Sequence, residues 1–223
     1  MDTNRRHFIK TALGTSGAIL LASRSAQAVV GQCGLTPAQG SGPFYPGEKR
    51  FDVIDDLTQV PGRTERALGQ VVYVIGQVQD RLCQPIANAN VEIWQACESG
   101  RYNNPNDPNP AALDPNFRYW AEAYTGKKGE YVFKTIIPGE YPAAADWVRP
   151  PHIHFRVSAL GYHELITQMY FKGNRFNEGD EIFKRIPKAE QDRVLIDFVT
   201  SEADLEPGSL TGRFDLTLRS VKL

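Results

Sequence analysis

From Val71 to the C-terminus the chain is written in short apolar runs with strand periodicity, each closed by Gly, Pro, Asn or Asp. Nowhere in it do apolar residues recur at the spacing of a long amphipathic helix. Val71 to Val78 is β-branched and apolar, and turn-forming residues from Asp80 to Pro85 end it. Val91 to Ala96 alternates with period two, which predicts apolar side chains on one face and Glu92 and Gln95 more nearly on the other. Glu122 to Tyr124 and Tyr131 to Ile137 flank Gly126-Lys127-Lys128-Gly129, a hairpin-like turn. Further strands are predicted at His152 to Ser158, Glu164 to Phe171, Arg193 to Val199 and Gly212 to Leu218, with a short helix or turn over Lys188 to Val194. Asn103 to Asn116 and Pro138 to Pro151 read as loops. Short strands without helices to cover a parallel sheet predict an all-β fold, an antiparallel β-sandwich with long functional loops.

A chain of 223 residues holds one such domain with a full core and leaves little room for a second. Residues 66–223 read as the sandwich. Residues 29–65 read as an extended N-terminal arm, because Leu35-Thr36-Pro37 and Gly40-Ser41-Gly42-Pro43-Phe44-Tyr45-Pro46-Gly47 are too rich in Gly and Pro for a helix or a central strand. Phe44 and Tyr45 within it are large enough to dock on something. Residues 1–28 resemble a twin-arginine signal peptide: Arg5-Arg6 is followed by Phe8 and Ile9, then by a modest apolar stretch from Thr11 to Ala22, then by Ala26-Gln27-Ala28 as a small-x-small cleavage site. The apolar stretch is too short to span a membrane comfortably. This predicts export of a folded protein to the periplasm or beyond, with Val29 as the mature N-terminus and no membrane attachment.

With 25 basic and 26 acidic residues, the chain offers no electrostatic case for binding nucleic acid or an anionic membrane. Its three cysteines, Cys33, Cys83 and Cys97, contain no CxxC pair and give poor support to a cysteine-based zinc site. An odd count allows at most one internal disulfide, and the spacing does not choose the pair.

The residues that point to chemistry are Arg149-Pro150-Pro151-His152-Ile153-His154-Phe155. On a strand, His152 and His154 share one face while Ile153 and Phe155 face the other layer. Cα atoms two apart on a strand are roughly 7 Å apart, near enough for two imidazoles to lean onto one metal. The same pair can equally be two polar residues on an ordinary strand, or a zinc or copper site. The neighbouring carboxylates, Asp146 and Glu164, lack a diagnostic spacing. Tyr102, ending Ser99-Gly100-Arg101-Tyr102, and Tyr141, in Pro138-Gly139-Glu140-Tyr141-Pro142, read by themselves as ordinary packing residues on loops.

Taken together, Gly100-Arg101-Tyr102, Leu113-Asp114-Pro115-Asn116-Phe117, Tyr131 to Ile136, Pro138 to Pro142 and Arg149 to Phe155 resemble the intradiol ring-cleavage dioxygenases, most closely the iron-bearing protocatechuate 3,4-dioxygenase type. The resemblance runs from about Pro43 to Phe171 and implies a β-sandwich, in agreement with the strand pattern. It implies that Tyr102, Tyr141, His152 and His154 bind Fe(III), since anionic phenolates favour a hard trivalent ion and neutral imidazoles complete its shell. It further implies that Tyr141 takes a substrate proton, and that Arg149 and Gln168 flank the reacting ring. The implied substrates are a catechol-type phenol and O2, and the implied product is a cis,cis-muconate. The resemblance is compatible with a homo-oligomer. Ala143-Ala144-Ala145 departs from the family, which often carries Trp and charged residues there, so the choice of catechol stays open. The rival reading is a prealbumin-like β-sandwich that only binds, sharing strand patterns such as Asn90 to Trp94.

Overall fold

The computed structural model describes residues 32–47 and 54–221; the signal reading of residues 1–28 lies outside the described residues. In chain order the strands are β1 (Val71–Asp80), β2 (Asn90–Trp94), β3 (Trp120–Tyr124), β4 (Glu130–Ile136), β5 (Tyr141–Ala144), β6 (Trp147–Arg149), β7 (His152–Ser158), β8 (Leu165–Phe171), β9 (Leu195–Ile196), β10 (Phe198–Thr200), β11 (Leu210–Arg213) and β12 (Leu216–Leu218). Two 3₁₀ turns, Phe183–Arg185 and Lys188–Arg193, are the only helical pieces among the described residues.

One sheet is built on β1. Strand β4 pairs antiparallel with it, while β11 and β12 lie successively beside it in parallel, and β10 closes on β11. The second sheet has the order β3-β2-β7-β8-β9. The sandwich expected from the strand pattern is therefore present, but it is mixed: β11 and β12 beside β1, and β9 beside β8, run parallel. A strand that returns after a long connection is not forced to run opposite its neighbour as a tight hairpin partner is. The segment Pro138 to Pro151 is likewise not a plain loop, because β5 and β6 pair as a two-stranded ribbon with a register shift between Pro142 and Ala144. Its proline and run of alanines carry no period-two pattern by which a strand could be read.

The core lies between the sheets. Val72, Val74 and Val78 of β1, Val91 and Ile93 of β2, and Ile153, Phe155 and Val157 of β7 are all fully buried there. Each such side chain contributes roughly 1.5–3 kcal/mol. Because strand side chains alternate, burying Ile153 and Phe155 inward obliges His152 and His154 to project from the other face of β7.

That other face is covered as well. The arm runs along it: Gln39 N donates to Ile166 O (2.7 Å), Gln168 N donates to Gln39 Oε1 (2.9 Å), and Tyr45 donates to Glu92 Oε2 (2.7 Å). This corrects the expectation for β2. Glu92 is buried under Tyr45 and Trp120, and Gln95 is buried while donating to Ile136 O and accepting from Thr135. Cys33 and Cys83 form the single disulfide among the described residues, tying the arm to the turn after β1, and Cys97 is free and buried.

Candidate active site

His152 and His154 emerge side by side from β7, with ring centroids 4.9 Å apart. His152 Nδ1 lies 2.7 Å from the Pro150 carbonyl. A carbonyl can only accept, so Nδ1 carries the proton and Nε2 offers its lone pair. The phenol oxygen of Tyr102 stands 3.2 Å from that Nε2. His154 faces Trp94 in the β2–β7 register and stacks on it, centroids 4.7 Å apart and planes 10° apart. Its Nδ1 is buried with no hydrogen-bond partner.

Tyr102 follows a tight turn in which Gly100 N donates to Cys97 O (2.9 Å), and its own N–H donates to Asp107 Oδ2 (2.7 Å). Tyr141 opens β5, its ring edge-on to Tyr102 at 5.7 Å and 5.8 Å from the His152 ring. The two tyrosine segments meet backbone to backbone, with Gly139 N donating to Cys97 O (3.0 Å). A Cβ on Gly100, whose φ is +80°, would collide with Glu140 O, and one on Gly139 would collide with Glu98 O. The glycines of the two tyrosine motifs are therefore what lets the phenols converge.

Arg149 sits opposite Tyr141 across the ribbon. It donates from Nη2 to Gln168 Oε1 (2.6 Å) and from Nε to Asp180 Oδ1 (2.8 Å). Gln168 pairs with His154 in the β7–β8 register. Phe44 of the arm lies 4.8 Å from the Tyr102 ring and 6.3 Å from that of Tyr141. The structure thus brings together all six residues singled out in the sequence: Tyr102, Tyr141, His152, His154, Arg149 and Gln168.

Burial governs the charges here. It pushes the Tyr102 phenol well above its ordinary value, with Tyr141 adding to the effect, and raises Tyr141 against the opposing pull of Arg149. Burial and then Arg149 drive His152 well below the usual imidazole range and His154 down to about 3. Burial opposes the charge on Arg149, but the guanidinium is held above its ordinary value, with Tyr141 contributing once ionised and the Asp180 carboxylate at 2.8 Å contributing throughout, so it stays cationic. Without a metal, the site holds two neutral phenols and two neutral imidazoles beside one permanent cation.

This donor set fits a highly charged metal ion. Phenols this buried ionise only against a compensating cation, and neutral imidazoles add ligands without adding charge. The His152 tautomer directs a lone pair toward Tyr102, and the unpartnered Nδ1 marks His154 as a ring not placed for hydrogen bonding within the protein. Among the described residues no group of three or more His, Cys, Asp or Glu side chains could hold a metal, and the phenols of Tyr102 and Tyr141 are the oxygen donors that stand beside the two histidines. Glu164 lies outside the cluster, paired with Arg156 at the surface.

A family model described as dioxygenase matches residues 41–220, most of the chain. The chain belongs to the intradiol ring-cleavage dioxygenase family. The protocatechuate 3,4-dioxygenase beta chain of Burkholderia cepacia is 38% identical over 183 residues, which cover 79% of this chain and 76% of that one. A catechol 1,2-dioxygenase of Candida albicans is 29% identical over 159 residues, 66% of this chain but only 49% of that one. Among solved structures, the dioxygenase domain of a dioxygenase–carbohydrate-binding fusion from Streptomyces sp. SirexAA-E superposes with a TM-score of 0.64 at 26% identity, over 84% of this chain and 100% of that one. An intradiol ring-cleavage dioxygenase from Tetranychus urticae gives 0.64 at 25% identity, over 83% and 95%.

Several residues of this intradiol dioxygenase site escaped the sequence. Trp94 stood in a recognised strand, but only the β2–β7 register sets it against His154. Phe44 was noted for its bulk, without a destination. Tyr170 accepts from Gln39 Nε2 (2.9 Å) and donates to Gln168 (3.3 Å), and it lay in a recognised strand with nothing to mark it. Asp180 sits in a turn after β8, and neither period nor motif announces it.

Proposed function

We propose that this intradiol dioxygenase binds ferric iron through Tyr102, Tyr141, His152 and His154 and uses O2 to open a catechol-type ring between its two hydroxylated carbons, giving a cis,cis-muconate-type product. The observation that carries the reading is the convergence of two buried phenols on two neutral imidazoles, with Tyr102 Oη 3.2 Å from His152 Nε2. Ferric iron bound there would supply a Lewis acid and a template that favours phenolate over phenol.

The protein's own groups do the rest. Tyr141, at the base of the ribbon, takes a proton from an incoming catechol onto Oη. Arg149 holds a fixed positive charge against an electron-rich ring, in a setting where burial strengthens it. Gln168 fixes one edge of that guanidinium. Phe44 and Trp94 line the donor cluster with apolar surface and keep water from it. The substrate is protocatechuate or another substituted catechol.

Twin-arginine export to the periplasm or beyond belongs to the same proposal. The Arg5-Arg6 motif supports it, and so does the Cys33–Cys83 disulfide, a bond that persists in oxidising compartments.

The test is to load the purified protein with ferric iron. A burgundy charge-transfer band is expected, which shifts when catechol is added without O2, followed by O2 uptake and release of muconates once air is admitted. A protein that stays colourless and inert after loading refutes the reading. Semialdehyde products refute the position of cleavage.

A further inference from the structure

Asp180 is fully buried, and its carboxylate meets three donors. Oδ1 accepts from Arg149 Nε (2.8 Å) and from Trp147 Nε1 (3.0 Å), and Oδ2 accepts from Phe183 N (3.0 Å), at the start of the 3₁₀ turn that follows. A buried carboxylate is costly unless it is paired and fully hydrogen-bonded, and these three donors meet that demand. The pairing also joins separate parts of the chain. Trp147 and Arg149 belong to the β5–β6 ribbon, whereas Asp180 lies beyond β8, anchored by its bond from Phe183 N.

The effect on Arg149 follows from the shape of its side chain. A guanidinium is a rigid plane, so fixing two of its nitrogens fixes its position and tilt. Gln168 takes Nη2 and Asp180 takes Nε. These two bonds leave Nη1 out. Without Asp180 the Nε edge would lose its carboxylate partner, and the plane could tilt about its Gln168 edge, on a side chain with several rotatable bonds. Trp147 shares the same carboxylate oxygen and its ring lies 5.7 Å from the guanidinium carbon, which closes off one direction of that swing.

We propose that Asp180 is a positioning residue for ring cleavage, one that holds the Arg149 guanidinium in register with the Tyr141 and His152 side of the site. The inference rests on the ferric dioxygenase reading for its kinetic consequence, but the contact itself does not.

The experiment compares the parent, Asp180→Asn, Arg149→Ala and the double variant, each checked for folding by thermal melting and for iron content. Asp180→Asn is expected to keep its iron and its colour while kcat falls roughly tenfold to a hundredfold, the scale of loss for a displaced charged group, with a much smaller change in KM. In the Arg149→Ala background, Asp180→Asn is expected to cause no further loss, because the two residues act as one unit. An equal loss in both backgrounds would show that Asp180 does not act through Arg149 and overturns the proposal. The Arg149 Nε–H resonance of the iron-free protein supplies a readout independent of turnover: slow to exchange in the parent, and shifted and fast in Asp180→Asn. An unchanged resonance also overturns the proposal. Should Asp180→Asn fail to fold, Asp180→Glu keeps the charge but displaces it by a methylene; an altered Nε–H resonance and an intermediate kcat are then expected, and parental values for both overturn the proposal. A parent that opens no catechol counts against the ferric reading, while the resonance still decides the role of Asp180.

Discussion

Tyr102 Oη and His152 Nε2 lie 3.2 Å apart, and the Pro150 carbonyl, 2.7 Å from Nδ1 on the far side of the ring, dictates that the nitrogen facing the phenol is the unprotonated one. A phenol and a lone pair placed in this way form a hydrogen bond in the metal-free protein, and under the proposed function they would be a pair of ligands in the loaded one. His152→Ala is expected to lose iron, as measured by metal analysis after dialysis. Tyr141→Phe is expected to keep iron, change colour and slow the uptake of the substrate proton, seen as a lower kcat in rapid-mixing experiments. Full iron occupancy and activity in His152→Ala would count against the ligand assignment.

The pH dependence of the metal-free protein follows from the histidines. Burial holds both below the ordinary imidazole value, His154 at about 3, so between that value and about 6.5 the unfolded chain binds protons that the folded chain does not. Stability is therefore fully present above pH 6.5 and declines as pH falls, by up to about 1.4 kcal/mol per pH unit for each histidine. Urea titrations of metal-free protein between pH 6.5 and 5 should show this slope, and His154→Asn should remove about half of it. A flat profile would mean that the imidazoles are not buried as neutral groups.

The closeness of the two tyrosine segments depends on glycine. Gly100 has a φ of +80° and lies against Glu140 O. For Gly100→Ala, the left-handed conformation alone costs roughly 1–2 kcal/mol, and the collision adds to it. Thermal melting is expected to drop by about 5 °C or more, since each kcal/mol is worth roughly 2–4 °C in a chain of this size. Iron affinity should fall with it, because the turn that carries Tyr102 has to move. An unchanged melting temperature would mean that the segments are free to separate.

The disulfide between Cys33 and Cys83 spans 50 residues of chain. Closing a loop of this length restricts the unfolded chain by roughly 4 kcal/mol in the entropic account. Cys33→Ser should lower the urea midpoint and render the protein insensitive to reductant. The parent should be destabilised by reductant to the same level. If the two differ, the bond contributes more than loop closure.

The sandwich was legible in the sequence because its inner faces are written in alternating β-branched residues, as in Val71 to Val78 and in Ile153, Phe155 and Val157. Of the candidate site, the His-x-His on one strand was legible by itself, whereas the two Gly-and-Tyr turns, Arg149 and Gln168 were legible only through the resemblance to the family. What could not be read depended on partners remote in sequence. The parallel placing of β11 beside β1 comes from a connection whose path no local pattern records. The partners of Glu92 and Gln95 could not be read either: Glu92 is met by Tyr45 of an arm with no regular structure of its own, and Gln95 by Thr135 and Ile136 of β4. Asp180 is marked only by the side chains that reach it. Local chemistry marks what a residue can do, and tertiary contacts decide where it does it.

The β5–β6 ribbon has a fixed end and a free one. At its base, Tyr141 and Arg149 are locked opposite each other, backed by Asp180, Gln168 and the paired glycine turns. At its tip, Ala143, Ala144 and Ala145 are exposed. Bulk or charge can be introduced at those three positions without disturbing the donors beneath. In evolutionary terms the tip is free to drift while the base is held, and under the proposed function a designer can vary the same three positions with little risk to the donors.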